Sequence, residues 1–327
     1  MKTKKLTWIN GVLLLILILA FVANLCGGVQ WYGLNQLWAD PNLMATKIMW
    51  TIRLPRSLSV VLVGALLAFS GQLMQALSKN PIADPSILGV NAGAMLALMI
   101  GSLFGISLSV FNTMWLSICG ALITFLIVLG LSMTKQGIDP LRFILGGTVF
   151  ASFISCIAYA VSLLTNSSVQ FRNLLVGGFS GATYSQVELL TVGIIVVIVL
   201  VVVLRKSLTL LVLDDATASS LGAKPGVTRI IASLMVVICA GISVAVAGNI
   251  GFVGLGIPQV INYLHPDALE RNVVPTMLAG GIFMLVVDLI AKTLAAPTEL
   301  PLSALSAIFG GAFLFIIVAK GSRVTQI

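Results

Sequence analysis

Charged residues are scarce in this sequence. They make up 9% of its 327 residues, whereas 59% are hydrophobic and the mean hydropathy is +1.12. A soluble domain usually carries about 25% charged residues, so too few are present to cover a water-facing surface. The scarcity favours a single transmembrane domain over residues 1–327. The net charge of +8 does not indicate nucleic acid as a partner, because the charges are scattered between apolar runs.

Motifs for nucleotide binding, metal binding and covalent catalysis are also missing. No lysine directly follows a glycine, which excludes a phosphate-binding G-x-x-x-x-G-K-S/T loop. There is no H-E-x-x-H or C-x-x-C motif, so we predict no cofactor and no metal bound by this chain. The single histidine, His265, is interpreted as a solvated loop residue. The cysteines are interpreted as packing residues: Cys26, Cys119, Cys156 and Cys239. An enzyme is therefore not predicted.

Long uncharged stretches are abundant, and a helix of roughly 20 apolar residues crosses a bilayer. The 85–134 stretch is long enough for two crossings, with a break near residues 105–112. The 230–264 stretch allows one helix followed by a half-length element. The first stretch is interpreted as a retained helix, because no clear cleavage site follows it. About ten crossings result from these stretches: 6–39, 57–78, 85–134, 143–171, 189–204, 230–264, 272–287 and 300–319.

The distribution of lysine and arginine predicts the orientation. With the N-terminus inside, 13 of the 18 basic residues fall on the inner side. An inner excess is typical of cytoplasmic loops, so both termini are predicted to be cytoplasmic. The expected fold is an all-α polytopic transmembrane helical bundle of about ten spans. The five outer cations are Lys47, Arg53, Arg56, Arg172 and Lys292.

Two segments are too irregular for plain spans, and a third is a long cytoplasmic segment. Residues 166–184 are predicted to form an outer loop with a short helix. Residues 248–258 contain four glycines and Pro258, and non-helical backbone at membrane depth must face a cavity or pack inside the bundle. Residues 213–229 form the largest cytoplasmic segment. A short helix from Ala216 to Leu221, and a second starting at Pro225, would make this segment a docking surface.

Several ordered motifs between about residues 50 and 318 resemble the permease subunits of the iron-siderophore, haem and cobalamin ABC importers, the FecCD-like (type II importer) family. The motifs include Arg53-Leu-Pro-Arg56, Gly64-Ala-Leu-Leu-Ala-Phe-Ser-Gly71, Asn80-Pro-Ile-Ala-Asp-Pro-Ser-Ile-Leu-Gly89, Leu213-Asp-Asp-Ala216, Gly248-Asn-Ile-Gly-Phe-Val-Gly-Leu-Gly-Ile-Pro258 and Glu299-Leu-Pro301. The resemblance implies a multi-pass protein of the bacterial cytoplasmic membrane that works by alternating access. It also implies a second permease subunit, two ATPase subunits that bind ATP and Mg, and an external substrate-binding protein, a lipoprotein in a Gram-positive organism.

The resemblance assigns candidate residues to three roles. Arg53, Arg56 and Lys292 match cations that receive acidic residues of the binding protein. The ATPase-coupling residues are expected to be Asp214, Asp215, Ala216, Ser219, Leu221, Gly222, Ala223 and Arg229. Candidate gating or path residues are Asn249, Gly251, Gly254, Pro258 and Asp288. An acid within a span is a functional candidate by default, but an ion pair with Lys292, one helical turn away, is the alternative for Asp288.

The transported substrate is expected to be a ferric siderophore of the hydroxamate type, with haem or cobalamin as alternatives. An ion-coupled secondary transporter is the alternative of another class, although no inverted repeat supports it. The path is expected near residues 145–165 and 303–318. Gln259 and Asn262 stand where the family usually has His and Arg. These departures favour a heterodimer over a homodimer.

Overall fold

The computed structural model describes residues 2–86, 88–107, 109–134, 137–138, 140–211, 215–220 and 225–319. Its α-helices are α1 (Lys2–Cys26), α2 (Met44–Ile48), α3 (Leu54–Ser78), α4 (Val90–Leu103), α5 (Val110–Ser132), α6 (Pro140–Leu164), α7 (Ser168–Val176), α8 (Tyr184–Leu210), α9 (Asp215–Ser220), α10 (Pro225–Ala247), α11 (Val253–Leu264), α12 (Leu269–Thr293) and α13 (Leu302–Ala319). A 3-10 helix spans Leu34–Leu37, and a π-helical turn, Met49–Arg53, joins α2 to α3. Among the described residues, strand pairing is limited to Met133–Thr134 with Gly137–Ile138.

The helical class predicted from the sequence is confirmed. Within the part of the chain that the structure describes, seven helical stretches are long and apolar enough to cross a membrane: Leu6–Cys26, Met44–Ser78, Val110–Ser132, Leu141–Leu164, Tyr184–Arg205, Gly226–Ala247 and Leu269–Thr293. Val90–Leu103 and Leu302–Ala312 are shorter apolar helices. The predicted break near residues 105–112 is present, because α4 ends at Leu103 and α5 begins at Val110. The count of ten spans and the cytoplasmic termini stay predictions.

Helix ends follow local cap chemistry. The Ser109 hydroxyl accepts a hydrogen bond from the Asn112 amide at the start of α5 (3.3 Å). A capping box starts α8, where Thr183 caps the helix and the Gln186 side chain accepts from the Thr183 amide (3.1 Å). Pro225 is the first residue of α10, where its missing N–H costs no hydrogen bond. The sequence therefore sets these boundaries locally.

Helix α3 lies at the centre of the bundle, with 83% of its most apolar window buried. It packs against α12, α10, α11 and α8. Two glycines on α3 permit close approach of neighbouring backbones. A Cβ atom added at Gly64 would lie 2.4 Å from the Gly280 carbonyl oxygen of α12, and one at Gly71 would lie 2.0 Å from the Gly254 carbonyl oxygen of α11. Both contacts join residues far apart in the chain.

Helices α1, α6 and α8 lie at the periphery. Only 11%, 17% and 17% of their most apolar windows, respectively, are buried within the chain. Large exposed apolar side chains cover these helices, including Leu19, Val149 and Val203. Such surfaces suit lipid or another subunit rather than water.

Candidate functional site

The guanidinium of Arg56, near the start of α3, lies between two carboxylates. Its Nη2 is 2.9 Å from Asp288 Oδ1 on α12. On the other side, Nη1 donates to Glu299 Oε1 (2.5 Å) and Nη2 donates to Glu299 Oε2 (3.0 Å). Glu299 belongs to the segment between α12 and α13. Bidentate contacts of this kind are the strongest arginine–carboxylate arrangement, so Arg56 joins three parts of the bundle at one end.

Asp288 is fully enclosed, with 0% of its surface exposed. Besides Arg56, it accepts from Asn24 Nδ2 of α1 (3.0 Å) and lies 3.7 Å from Lys292 Nζ. The ion pair with Lys292 is therefore present, as the alternative interpretation expected, but the shorter contact is with Arg56, which the sequence did not reveal. Because the carboxylate is fully buried in this structure, its role in a path stays a prediction.

Lys292 and Asn24 complete the same cluster. Lys292 Nζ donates to the Asn24 carbonyl oxygen (2.5 Å) and to Asn24 Oδ1 (3.0 Å). Ser57 also donates to Asn24 Oδ1 (2.8 Å). We call Asn24, Arg56, Asp288, Lys292 and Glu299 the outer charge cluster. Its hydrogen bonds and ion pairs join α1, α3 and α12, and each buried polar group in it has a partner.

Arg53 lies beside this cluster and stabilises the end of α1. Its guanidinium donates to the carbonyl oxygens of Leu25 (3.2 Å), Cys26 (2.6 Å) and Gln30 (2.5 Å). The same group lies 4.5 Å from the centre of the Tyr32 ring, a cation–π contact. A cation here satisfies carbonyl groups that the end of a helix leaves without an intrahelical donor.

All three cations predicted to dock a binding protein are buried in this structure. Arg53, Arg56 and Lys292 are 9%, 6% and 7% exposed, and their donors already have partners inside the chain. Docking therefore stays a prediction, and it requires partners to be exchanged. Sequence reasoning quoted Glu299 as part of a motif but gave it no role. The available clue was that an acid predicted on the same outer side as Arg53, Arg56 and Lys292 has a natural counterion there.

At the other end of α3, side-chain amides connect three elements. Gln75 Nε2 donates to the Gly254 and Leu255 carbonyl oxygens of α11 (3.1 and 3.2 Å). Gln259 Nε2 donates in turn to Gln75 Oε1 (2.7 Å) and to the Pro81 carbonyl oxygen (3.0 Å). The departure from the family at Gln259 thus supplies an amide that joins α11 to α3 and to the turn after it.

The predicted gating segment is packed rather than open here. Asn91 Nδ2 donates to Asn249 Oδ1 (2.9 Å), and Gly254 contacts Gly71. Pro258 is buried within α11. A Cβ atom added at Gly251 would meet only Ser86 Oγ, at 3.5 Å. Packing within the bundle is one of the two environments expected for such backbone, and a gating role for these residues stays a prediction.

The turn between α3 and α4 has its own hydrogen bonds. Asp84 is 3% exposed and accepts from the Ser86 amide (2.7 Å) and from the Ser86 hydroxyl. Burial raises the pKa of the Asp84 carboxyl, although both bonds from Ser86 oppose that rise. Gly89, with φ +81°, occupies the N-cap position of α4.

His265 is not the solvated loop residue that the sequence suggested. It is 5% exposed, and its Nδ1 lies 3.1 Å from Asn272 Oδ1 of α12. Asn272 Nδ2 also donates to Asn262 Oδ1 (3.0 Å) and to the His265 carbonyl oxygen (2.9 Å). The connection between α11 and α12 is short enough that the two helix ends enclose the imidazole ring of His265.

The predicted coupling segment contains α9, and α10 begins at Pro225. Ser219 is exposed, and Arg229 is half-buried on α10. Asp215 and Ala216 are the first two residues of α9. The remaining predicted coupling residues lie outside the described residues: Asp214, Leu221, Gly222 and Ala223. Contact with an ATPase therefore stays a prediction.

A cleft of about 600 Å³ separates α6 from α7. The α6 wall carries Ser155, Cys156 and Tyr159, and the α7 wall carries Ser168 and Arg172. Tyr159 packs against Phe171 with ring centres 5.7 Å apart. Arg172 is exposed in this cleft. The cleft lies on the span near 145–165 where the sequence predicted the path, although that assignment itself stays a prediction.

The sequence matches the FecCD transport family over residues 15–320. It is 31% identical to the iron(3+)-hydroxamate import system permease protein FhuB of Bacillus subtilis, over 87% of this chain and 74% of that protein. It is 35% identical to the Fe(3+)-citrate import system permease protein YfmD of the same organism, over 84% and 82%. Its identity to the vitamin B12 import system permease protein BtuC of Citrobacter koseri is 32%, over 98% and 96%.

The fold is also similar to a solved structure. A metal-chelate type ABC transporter in an inward-facing conformation superposes with a TM-score of 0.83 and 28% sequence identity. The superposition covers 96% of this chain and 99% of the other. The likeness therefore extends over nearly the whole bundle.

Proposed function

The chain belongs to the FecCD transport family, and we propose that it moves a ferric siderophore of the hydroxamate type across the membrane by alternating access. It is a permease of the ABC importer class and a multi-pass protein of the bacterial cytoplasmic membrane. The observation that carries the assignment is that similarity runs from residue 15 to residue 320 and so includes every candidate span except the start of the first.

We propose ten crossings with both ends in the cytoplasm. The seven long spans leave α4, α13 and the half-length α11 to complete the count. With this topology the outer charge cluster faces the outside and α9 faces the cytoplasm. The 13-to-5 distribution of basic residues supports the same orientation.

Partner subunits supply what this chain lacks. We propose a second permease, with a heterodimer favoured, and two ATPase subunits that bind ATP and Mg. An external binding protein, a lipoprotein in a Gram-positive organism, delivers the substrate to the outer end. Proteins similar to this chain are named as permeases of import systems, and the sequence has no nucleotide-binding loop of its own. Peripheral helices α6 and α8 offer apolar surface to the second permease or to lipid.

The substrate path is proposed to follow the polar side of α6. Ser152, Ser155, Cys156 and Tyr159 recur at three- and four-residue spacing and so lie along one face of this helix. Arg172 faces the same cleft from α7. Because a cation facing hydrocarbon is costly, this face suits a water-filled path. Hydroxyl groups and one guanidinium suit an oxygen-rich chelate, to which they can donate hydrogen bonds.

Cobalamin is the second candidate substrate, since the vitamin B12 permeases align over 98% of this chain. Haem is the third. The test is the ATPase rate of the purified complex of this chain with its partner permease, ATPase and binding protein. We expect the binding protein to stimulate ATP hydrolysis with ferric hydroxamate and less with ferric citrate, haem or cobalamin. Substrate uptake that follows an ion gradient and ignores ATP would overturn the assignment in favour of a secondary transporter.

Replacing Arg172 with glutamine tests the path. We expect uptake of the ferric chelate into proteoliposomes to fall about tenfold, because a charge-assisted hydrogen bond contributes roughly 1.5–3 kcal/mol. Lys47→Gln is the matched control, since Lys47 is an exposed outer cation on α2 that does not line the cleft. Equal uptake by both variants and the wild type would remove Arg172 and its cleft from the path.

A further inference from the structure

The two carboxylates on Arg56 differ in how firmly they are held. The side chain of Asp288 is 0% exposed on the interior of α12, whereas that of Glu299 is 38% exposed on the segment between α12 and α13. Both bind the same guanidinium, whose own side chain is 8% exposed. Glu299 can therefore leave Arg56 for solvent without crossing the bundle, and Asp288 cannot.

We propose that Glu299 occupies on Arg56 the position that a carboxylate of the docking protein takes during transport. The inference rests on the proposed function, because it requires an external binding protein. An acidic residue of that protein displaces Glu299, and Asp288 keeps Arg56 in place during the exchange. The buried state of Arg56 is then the resting state of the docking site, in which an internal carboxylate closes it.

Local charge favours such an exchange. The outer charge cluster and the adjoining Arg53 contain three cations (Arg53, Arg56, Lys292) and two carboxylates (Asp288, Glu299), which leaves a net charge of +1. An approaching carboxylate is therefore attracted. Loss of Glu299 without a replacement would leave one side of a buried guanidinium unpaired, which is unfavourable. Departure of Glu299 and arrival of the partner's carboxylate are thus coupled.

Displacing Glu299 would act directly on α13. Leu300 follows Glu299 and its amide donates to the Ala291 carbonyl oxygen (3.0 Å) at the end of α12. Pro301 accepts from the Leu305 amide (3.1 Å) in the first turn of α13, which begins at Leu302. Helix α13 contacts α7, which forms one wall of the cleft. A docked carboxylate would therefore be sensed at the helix next to the proposed path.

The variant Glu299→Gln in the complete complex tests the exchange, because glutamine keeps the shape but removes the competing charge. We expect the Kd for the loaded binding protein to fall about tenfold and ATP hydrolysis without the binding protein to rise toward the stimulated rate. Glu188→Gln is the matched control: Glu188 is an exposed acid in the first turns of α8, outside the outer charge cluster. We expect it to match the wild type in both measurements.

Each outcome decides the proposal. If Glu299→Gln assembles and has the Kd of the wild type or a weaker one, Glu299 does not compete with the docking protein. If Glu299→Gln fails to assemble while Glu188→Gln does, Glu299 is a structural partner and not an exchangeable one. If the wild type itself neither binds nor responds to any binding protein, the proposed function has failed, and this result is distinct from the other two.

Discussion

Replacing Asp288 with asparagine is expected to destabilise the permease strongly. The substitution keeps the shape of the side chain but removes the buried negative charge that faces Arg56 (2.9 Å) and Lys292 (3.7 Å). Removing one partner of a buried ion pair typically costs about 3–5 kcal/mol, because the remaining charge stays buried without compensation. Here two cations lose the same counterion, so we expect a loss at the upper end of that range.

The thermal unfolding midpoint of the detergent-purified chain and the yield of monodisperse protein measure this effect. Asp40→Asn is the matched control, since Asp40 is exposed and its Oδ1 accepts from the Asn42 amide (2.9 Å), a bond that an asparagine side chain also allows. We expect the control to unfold at the wild-type temperature. A midpoint for Asp288→Asn within a degree or two of the wild type would show that the outer charge cluster is not an anchor of the bundle.

Comparing Asp288→Asn with Glu299→Gln separates two roles at one guanidinium. Both substitutions remove one negative charge from Arg56. Asp288 is an anchor that is 0% exposed, and Glu299 is an exchangeable group that is 38% exposed. The two substitutions should therefore change different measured properties. We expect Asp288→Asn to lower the unfolding midpoint, and Glu299→Gln to change the Kd for the binding protein and the rate of ATP hydrolysis without it.

Local sequence patterns predicted where several helices are interrupted. The break between α10 and α11 falls at residues 248–252, within the glycine-rich segment that was expected to interrupt the helix. The 143–171 stretch proved less simple, because α6 ends at Leu164 and α7 starts at Ser168. Asn166 there has φ +55°, a left-handed conformation that asparagine tolerates better than most residues. The polar residues from 166 onward, rather than hydrophobicity, indicate this interruption.

Contacts between residues that are far apart along the chain could not be predicted from the sequence. Arg56 and Asp288 are 232 residues apart, and a single sequence offers pairing rules only within about one helical turn. The interpretation of Asp288 therefore considered Lys292 and missed Arg56. The same limit explains His265, whose burial depends on Asn272 of the following helix. Charge placement predicted which side of the membrane a residue occupies but not whether it was buried.

Gly71→Ala is expected to disrupt the contact between α3 and α11. An added Cβ atom would lie 2.0 Å from the carbonyl oxygen and 2.2 Å from the Cα atom of Gly254. Backbone atoms cannot rotate away as side chains do, so one helix must move. Overpacking a well-filled interior typically costs about 1–3 kcal/mol of stability and occasionally more. We expect the cost of Gly71→Ala to reach or exceed the upper value. The hydrogen bonds from Gln75 to Gly254 and Leu255 would lengthen with the shift.

A control for Gly71→Ala allows the direction of the change in the unfolding midpoint to be tested as well as its size. Gly130→Ala on α5 adds the same methyl group where nothing lies within 4 Å. Alanine within a helix is more favourable than glycine by roughly 0.5–1 kcal/mol, so we expect the unfolding midpoint of Gly130→Ala to stay equal or rise. The midpoint of Gly71→Ala should fall, and its ATPase stimulation in the complex should fall with it. If both variants raised the midpoint, helix propensity rather than close approach would determine the effect, and the α3–α11 contact would not limit stability.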